Sequence, residues 1–271
     1  MMRFGLVVLL CLLGVTAQAQ TTDLKRLGTE NEALNWQAVG RLELAGRGFC
    51  TATLIAPDTV LTAAHCVYDS ATGRALGAEN LVFRAGLREG QAAAVRGISK
   101  LAAHLEFDPL GPMNMQNVSH DVALLRLADP IPSSELNWFA LHNDRVTTGP
   151  VSVVSYGKGR ADAQSRQREC QMLERQNDVL AFDCDVTFGS SGAPVFSHLN
   201  GGGRVVSVIS GMTMHNGKKI ALGMYLPPLV AELKTILRTG SGPKPTARIR
   251  RLSVGSGNAT TGAKFVKAPG S

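Results

Sequence analysis

The chain has 271 residues, is 44% hydrophobic and only 5% aromatic, and carries a formal charge of +7. That length allows one large unit or two small subdomains with a sizeable core, and no internal repeat indicates a solenoid. The positive charge does not point to a nucleic-acid partner: Arg3 supplies one unit, and Lys244, Arg248, Arg250, Arg251, Lys264 and Lys267 supply the other six within an acid-free stretch, 239–271.

Arg3 is followed by the nearly all-apolar run Phe4 to Val15 and by the small-x-small pattern Ala17-Gln18-Ala19. The run is too short for a membrane anchor, so 1–19 reads as a secretory signal, with no stable membrane insertion once it is cleaved. The product is expected to be secreted or periplasmic. Cys11 leaves with the signal, and Cys50, Cys66, Cys170 and Cys184 remain. Four cysteines can pair in three ways; sequence proximity favours Cys50–Cys66 and Cys170–Cys184. No pair has the Cys-x-x-Cys spacing of a zinc site, so disulfides are expected and a metal is not. Residues 20–35 are polar and weakly patterned, a leader, short pro-segment or N-terminal arm, with folded sequence expected from near Trp36.

From there, short Val/Ile/Leu runs bounded by Gly, Pro, Asn and Asp recur at Val39–Leu44, Ala52–Ile55, Val122–Leu127, Val151–Ser155 and Val205–Ser210. Strands at this spacing predict an all-β sandwich or barrel. In Leu61-Thr62-Ala63-Ala64-His65-Cys66, a half-cystine fixes the backbone beside His65, and general-base chemistry needs such fixity. Leu101–Asn117 reads as a surface loop. It leads to His120-Asp121-Val122-Ala123-Leu124-Leu125, where Asp121 opens an apolar strand and its carboxylate can be held at the edge of a core. There it can accept a histidine N–H and fix that ring's tautomer. His120, next to Asp121, would face the other way along a strand, so the base falls to His65. Arg160–Arg168 reads as a solvated loop. Finally Gly189-Ser190-Ser191-Gly192-Ala193-Pro194 places a serine between glycines in a tight turn, where N–H groups can converge beside Ser191 Oγ.

Together, "LTAAHC" with upstream Cys50, "HDVALLRL" and "GSSGAP" resemble the histidine, aspartate and serine motifs of the trypsin/chymotrypsin superfamily, in its chain order and over roughly 36–238. The resemblance implies two Greek-key β-barrels divided near residue 143, with His65 and Asp121 from the first and Ser191 from the second. It also implies an oxyanion hole from the N–H groups of Gly189 and Ser191, a C-terminal helix on the second barrel, protein or peptide substrates, a monomer, and no cofactor. Ser190 replaces the aspartate of animal digestive members, so their zymogen switch is not expected. The pattern around Ser191 looks more like that of bacterial members related to glutamyl endopeptidases.

For specificity, Asp185 stands where trypsin-like enzymes place the acidic floor that selects Arg or Lys. It can equally serve only to hold its loop. No histidine lies on the Val205–Ser210 strand, which weakens a preference for Glu. By the same resemblance, Ser210 is expected to hydrogen-bond near Asp121. His104, His142, His198 and His215 read as surface or structural residues. Pro227-Pro228-Leu229 opens the one clear helix, with Leu229, Leu233, Ile236 and Leu237 on one face and Gly240 as its stop. Residues 239–271 read as a disordered tail. An exported serine endopeptidase is the leading reading; a catalytically silent binding protein of the same fold is the other.

Overall fold

The computed structural model describes residues 21–198 and 203–240, so the signal and tail expectations lie outside the described residues. Strands β1 (Leu24–Arg26), β2 (Val39–Glu43), β3 (Phe49–Ala56), β4 (Thr59–Thr62), β5 (Val82–Ala85), β6 (Ala94–Ala103), β7 (Ala123–Leu127), β8 (Gly149–Gly157), β9 (Arg160–Gln176), β10 (Val179–Phe182), β11 (Pro194–Ser197), β12 (Arg204–His215) and β13 (Lys218–Met224) carry almost all of the order. They build two antiparallel barrels. The first closes as β2-β3-β4-β7-β6-β5; the second runs β9-β10-β13-β12-β11-β8 and closes through β8 against β9.

Three apolar clusters explain the arrangement. One fills the first barrel around Leu42, Leu54, Phe83 and Leu125. A second fills the other around Val153, Met172, Phe182 and Ile209, with Cys170 and Cys184 in its wall. The third lies between the barrels, where Leu61, Val122 and Leu124 of the first meet Val154, Phe196 and Val208 of the second. Each barrel strand buries a face in one or more of these clusters, which fixes the register, because a one-residue slip would expose that face.

The body of the fold reaches upstream of Trp36. Strand β1 pairs with β9, and helix α1 (Glu30–Leu34) starts on a capping box between Thr29 and Glu32. Leu27 and Ala33 enter the cluster between the barrels. The Arg160–Arg168 segment, expected as a loop, is the first half of β9. Its hydropathy misleads because its buried side chains are polar: Gln164 donates to the carbonyls of Trp36 and Val39 at 2.7 and 2.6 Å. The expected loop at Leu101–Asn117 begins as the end of β6 and closes with helix α2 (Met115–Ser119), capped by Asn114.

Helix α3 (Pro227–Thr239) ends on Gly240 in the left-handed region, φ 73°. It buries Val230, Leu233, Ile236 and Leu237, while Leu229 is only partly covered. The helix crosses to the first barrel and lies against β6 and β7, rather than resting on the second barrel alone. Its apolar stripe closes the cluster between the two. Among the described residues, no helix is long and apolar enough to cross a membrane.

If residues 21–34 belong to the fold, Leu27→Ala should cost about 2 kcal/mol in denaturant unfolding, and deleting 21–34 should lower the unfolding midpoint further. A dispensable leader would leave both measurements at wild-type values.

Candidate active site

His65 sits in a 3₁₀ turn, Ala64–Val67, that follows β4 directly. Cys66 ties this turn to β3 through its disulfide with Cys50. The His65 ring lies against that bridge, its nitrogen within 4.8 Å of both sulfurs. Both sulfurs are consumed in the covalent bond, so the trio is not a metal site.

Asp121 precedes β7 and is 3% exposed. Its carboxylate accepts three hydrogen bonds: the His65 backbone N–H at 2.8 Å, His65 Nδ1–H at 2.7 Å and Ser210 Oγ–H at 2.6 Å. Two of these fix both ends of one residue, so the ring can neither tilt nor change tautomer without breaking a charge-assisted bond. Nε2 is thereby left as the ring's basic position. Burial lowers the His65 pKa, but the Asp121 charge and its hydrogen bond raise it by more, and the net shift is upward. The neighbouring His120 is directed elsewhere. Its ring stacks on His104 at 4.6 Å, with Nε2 3.2 Å from Glu106.

Ser191 lies across the junction between the barrels. Its carbonyl accepts the Thr51 N–H at 2.9 Å, and Thr51 Oγ1 donates to the Gly189 carbonyl at 2.8 Å. One fully buried threonine on β3 therefore holds the serine turn at two points, flanking Cys50 on the same strand. The turn's glycines are required by contact as well as conformation. At Gly192, φ is +75° and a Cβ would meet Thr62 Oγ1 at 2.2 Å; at Gly189, φ is +90° and a Cβ would meet Phe49 at 2.4 Å. The Phe188 carbonyl accepts from Lys158 N–H at 2.8 Å. A trans peptide places N–H opposite C=O, so this bond aims the Gly189 N–H away from Lys158.

Asp185 is not buried. Its side chain is 57% exposed and paired with Lys219 Nζ at 2.9 Å, while its N–H donates to Gln167. The second disulfide joins Cys170 to Cys184 immediately before it. Thr51, Lys158 and Lys219 were not singled out in the sequence, and nothing local marks them: each acts through a partner at least 30 residues away.

In comparison with known proteins, a family model described as Trypsin matches residues 26–228. A glutamyl endopeptidase of Bacillus licheniformis is 24% identical over 151 residues, covering 55% of this chain and 45% of that protein. The match thus spans less than half the length of that relative. Among solved structures, a Glu endopeptidase in complex with MPD aligns with a TM-score of 0.64 at 17% identity, covering 80% of this chain and 98% of its own. A thermostable serine protease from an extremophilic microorganism aligns at 0.61 and 18%, covering 76% and 99%.

The raised His65 pKa has a definite sign. The stability contributed by the His65–Asp121 pair is complete below pH 6.5 and fades as pH rises through the higher folded value. An NMR titration of the His65 ring should give a midpoint above 6.5, and Asp121→Asn, leaving burial unopposed, should move it below.

Proposed function

The chain belongs to the trypsin family, and from that premise we propose that it is an exported serine endopeptidase working through Ser191, His65 and Asp121. The observation that carries this is the doubly held His65, whose ring is locked on a buried carboxylate in the same junction that pins Ser191. Ser191 Oγ attacks the scissile carbonyl carbon as His65 Nε2 takes its proton. The Gly189 and Ser191 N–H groups receive the oxygen as it becomes negative, a task for which each donor is worth on the order of 10²–10³ in rate. His65 then protonates the leaving amine. A water, deprotonated by the same nitrogen, hydrolyses the acyl-enzyme and frees Ser191. Asp121 stays ionised throughout and stabilises the imidazolium.

The substrate backbone has a place to lie. Strand β12 pairs with β13 from Ile209 to His215, whereas β11 accompanies it only as far as Val208, so among the described residues Ser210–Met212 keep an edge without a partner strand, where an extended peptide can lie. A preference for Arg or Lys before the cut loses its basis, because Asp185 is exposed and already neutralised by Lys219. An acidic residue fits better. Its carboxylate can compete with Asp185 for Lys219, and two of the similar proteins are named as Glu-directed endopeptidases. Export accords with the two disulfides.

Digestion of a denatured protein mixture, with mass spectrometry of the new termini, tests both levels. Cleavage should vanish in Ser191→Ala; equal silence of wild type and variant would overturn the peptidase reading and bring forward that of a binding protein of this fold. Lys219→Met should strip Asp185 of its partner and raise cuts after Arg or Lys by about tenfold. An unchanged profile would remove Asp185 and Lys219 from specificity.

A further inference from the structure

Arg160 begins β9, one turn after β8, and reaches back to the residue before the serine nucleophile. Its Nη2 donates to Ser190 Oγ at 3.0 Å and to Ser155 Oγ at 2.9 Å, and its Nη1 donates to the Ser155 carbonyl at 2.6 Å. Ser190 is fully buried. Its hydroxyl donates to the Tyr156 carbonyl at 3.1 Å and accepts the Thr187 N–H at 3.3 Å besides the guanidinium. Among the described residues, no carboxylate forms an ion pair with Arg160. Burial draws its pKa down to about 10, against the attraction of Asp185, so it stays cationic at neutral pH. Enclosing a cation without an anion is costly. What the guanidinium gains instead is a fork of donors that spans two serines at once, Ser155 and Ser190.

The same turn also grips the neighbouring peptide. Lys158, two residues before Arg160, holds the Phe188 carbonyl through its N–H. The Gly157 Cα lies 3.2 Å from where a Gly189 Cβ would stand. The stretch 157–160 therefore clasps 187–190 on both sides of the peptide whose N–H faces the oxyanion.

We propose that Arg160 is a positioning residue that locks the Phe188–Gly189 peptide and Ser190 in the orientation needed to stabilise the oxyanion, a task Ser190 cannot perform through an ion pair. The proposal rests on the peptidase reading above. Arg160 touches no reacting atom; it acts by removing the alternative peptide orientation, in which a carbonyl would face the negative oxygen.

The test compares wild type, Arg160→Met, Arg160→Lys and Ser191→Ala on one peptide substrate. Arg160→Met should lower kcat by about 10²-fold, the worth of one oxyanion donor, with KM little changed. Binding of a peptide aldehyde, which forms the tetrahedral adduct, should weaken by the same factor. Arg160→Lys should fall between, and added guanidinium ion should restore part of the Arg160→Met rate. Should Arg160→Met not fold, Ser190→Ala removes the same contact from the other side and should lower kcat at unchanged KM. An active wild type with kcat undiminished in these variants, or diminished without guanidinium rescue and with an equal rise in KM, overturns the positioning role alone. A wild type no more active than Ser191→Ala overturns the peptidase reading with it.

Discussion

The buried carboxylate of Asp121 is the constraint on which the rest of the site depends. Three donors converge on its two oxygens from two separate parts of the chain: the backbone and ring of His65, after β4, and the hydroxyl of Ser210 on β12. An unpaired carboxylate in that position would cost several kcal/mol. Satisfying it draws the first barrel and the second toward one point. The arrangement serves packing and geometry at once, since the bonds that make the charge tolerable also fix the His65 ring.

Junction contacts extend the same logic to Ser191. Thr51 bonds to the carbonyls of Gly189 and Ser191 and also accepts the Tyr156 N–H at 3.0 Å, so β3, β8 and the serine turn share one buried side chain. Gly192 lets the turn approach Thr62 and Ala63 more closely than any side chain would allow. Beneath this, the cluster around Trp36 and Phe196, whose rings meet edge to face at 5.2 Å, fuses the barrels into one core. Because interdigitated cores have few alternative packings, a site spanning two barrels can still be held rigidly.

How far the sequence discloses this depends on the range of each interaction. The His65 and Ser191 loops announce themselves because their requirements are local: small residues, glycines at positive φ, and a half-cystine beside the histidine. Strand β9 does not, since Gln164, Ser165 and Gln167 are buried yet polar, and hydropathy cannot distinguish a satisfied buried amide from a solvated one. Helix α3 is plain from its apolar period, but its resting place on β6 and β7 is a property of the assembled clusters. The neutralisation of Asp185 likewise turns on Lys219, 34 residues away on β13. Motif spacing locates a residue in the chain; only the packed structure supplies its counter-charge.

The central claim is that Asp121, through His65, makes Ser191 a nucleophile. It is tested most directly by exposing the protein to a fluorophosphonate and following the intact mass and the modified peptide over time. The account predicts one adduct per chain, on Ser191, formed at least about 10²-fold more slowly in Asp121→Asn. No adduct, an adduct on another residue, or a rate indifferent to Asp121→Asn would contradict it.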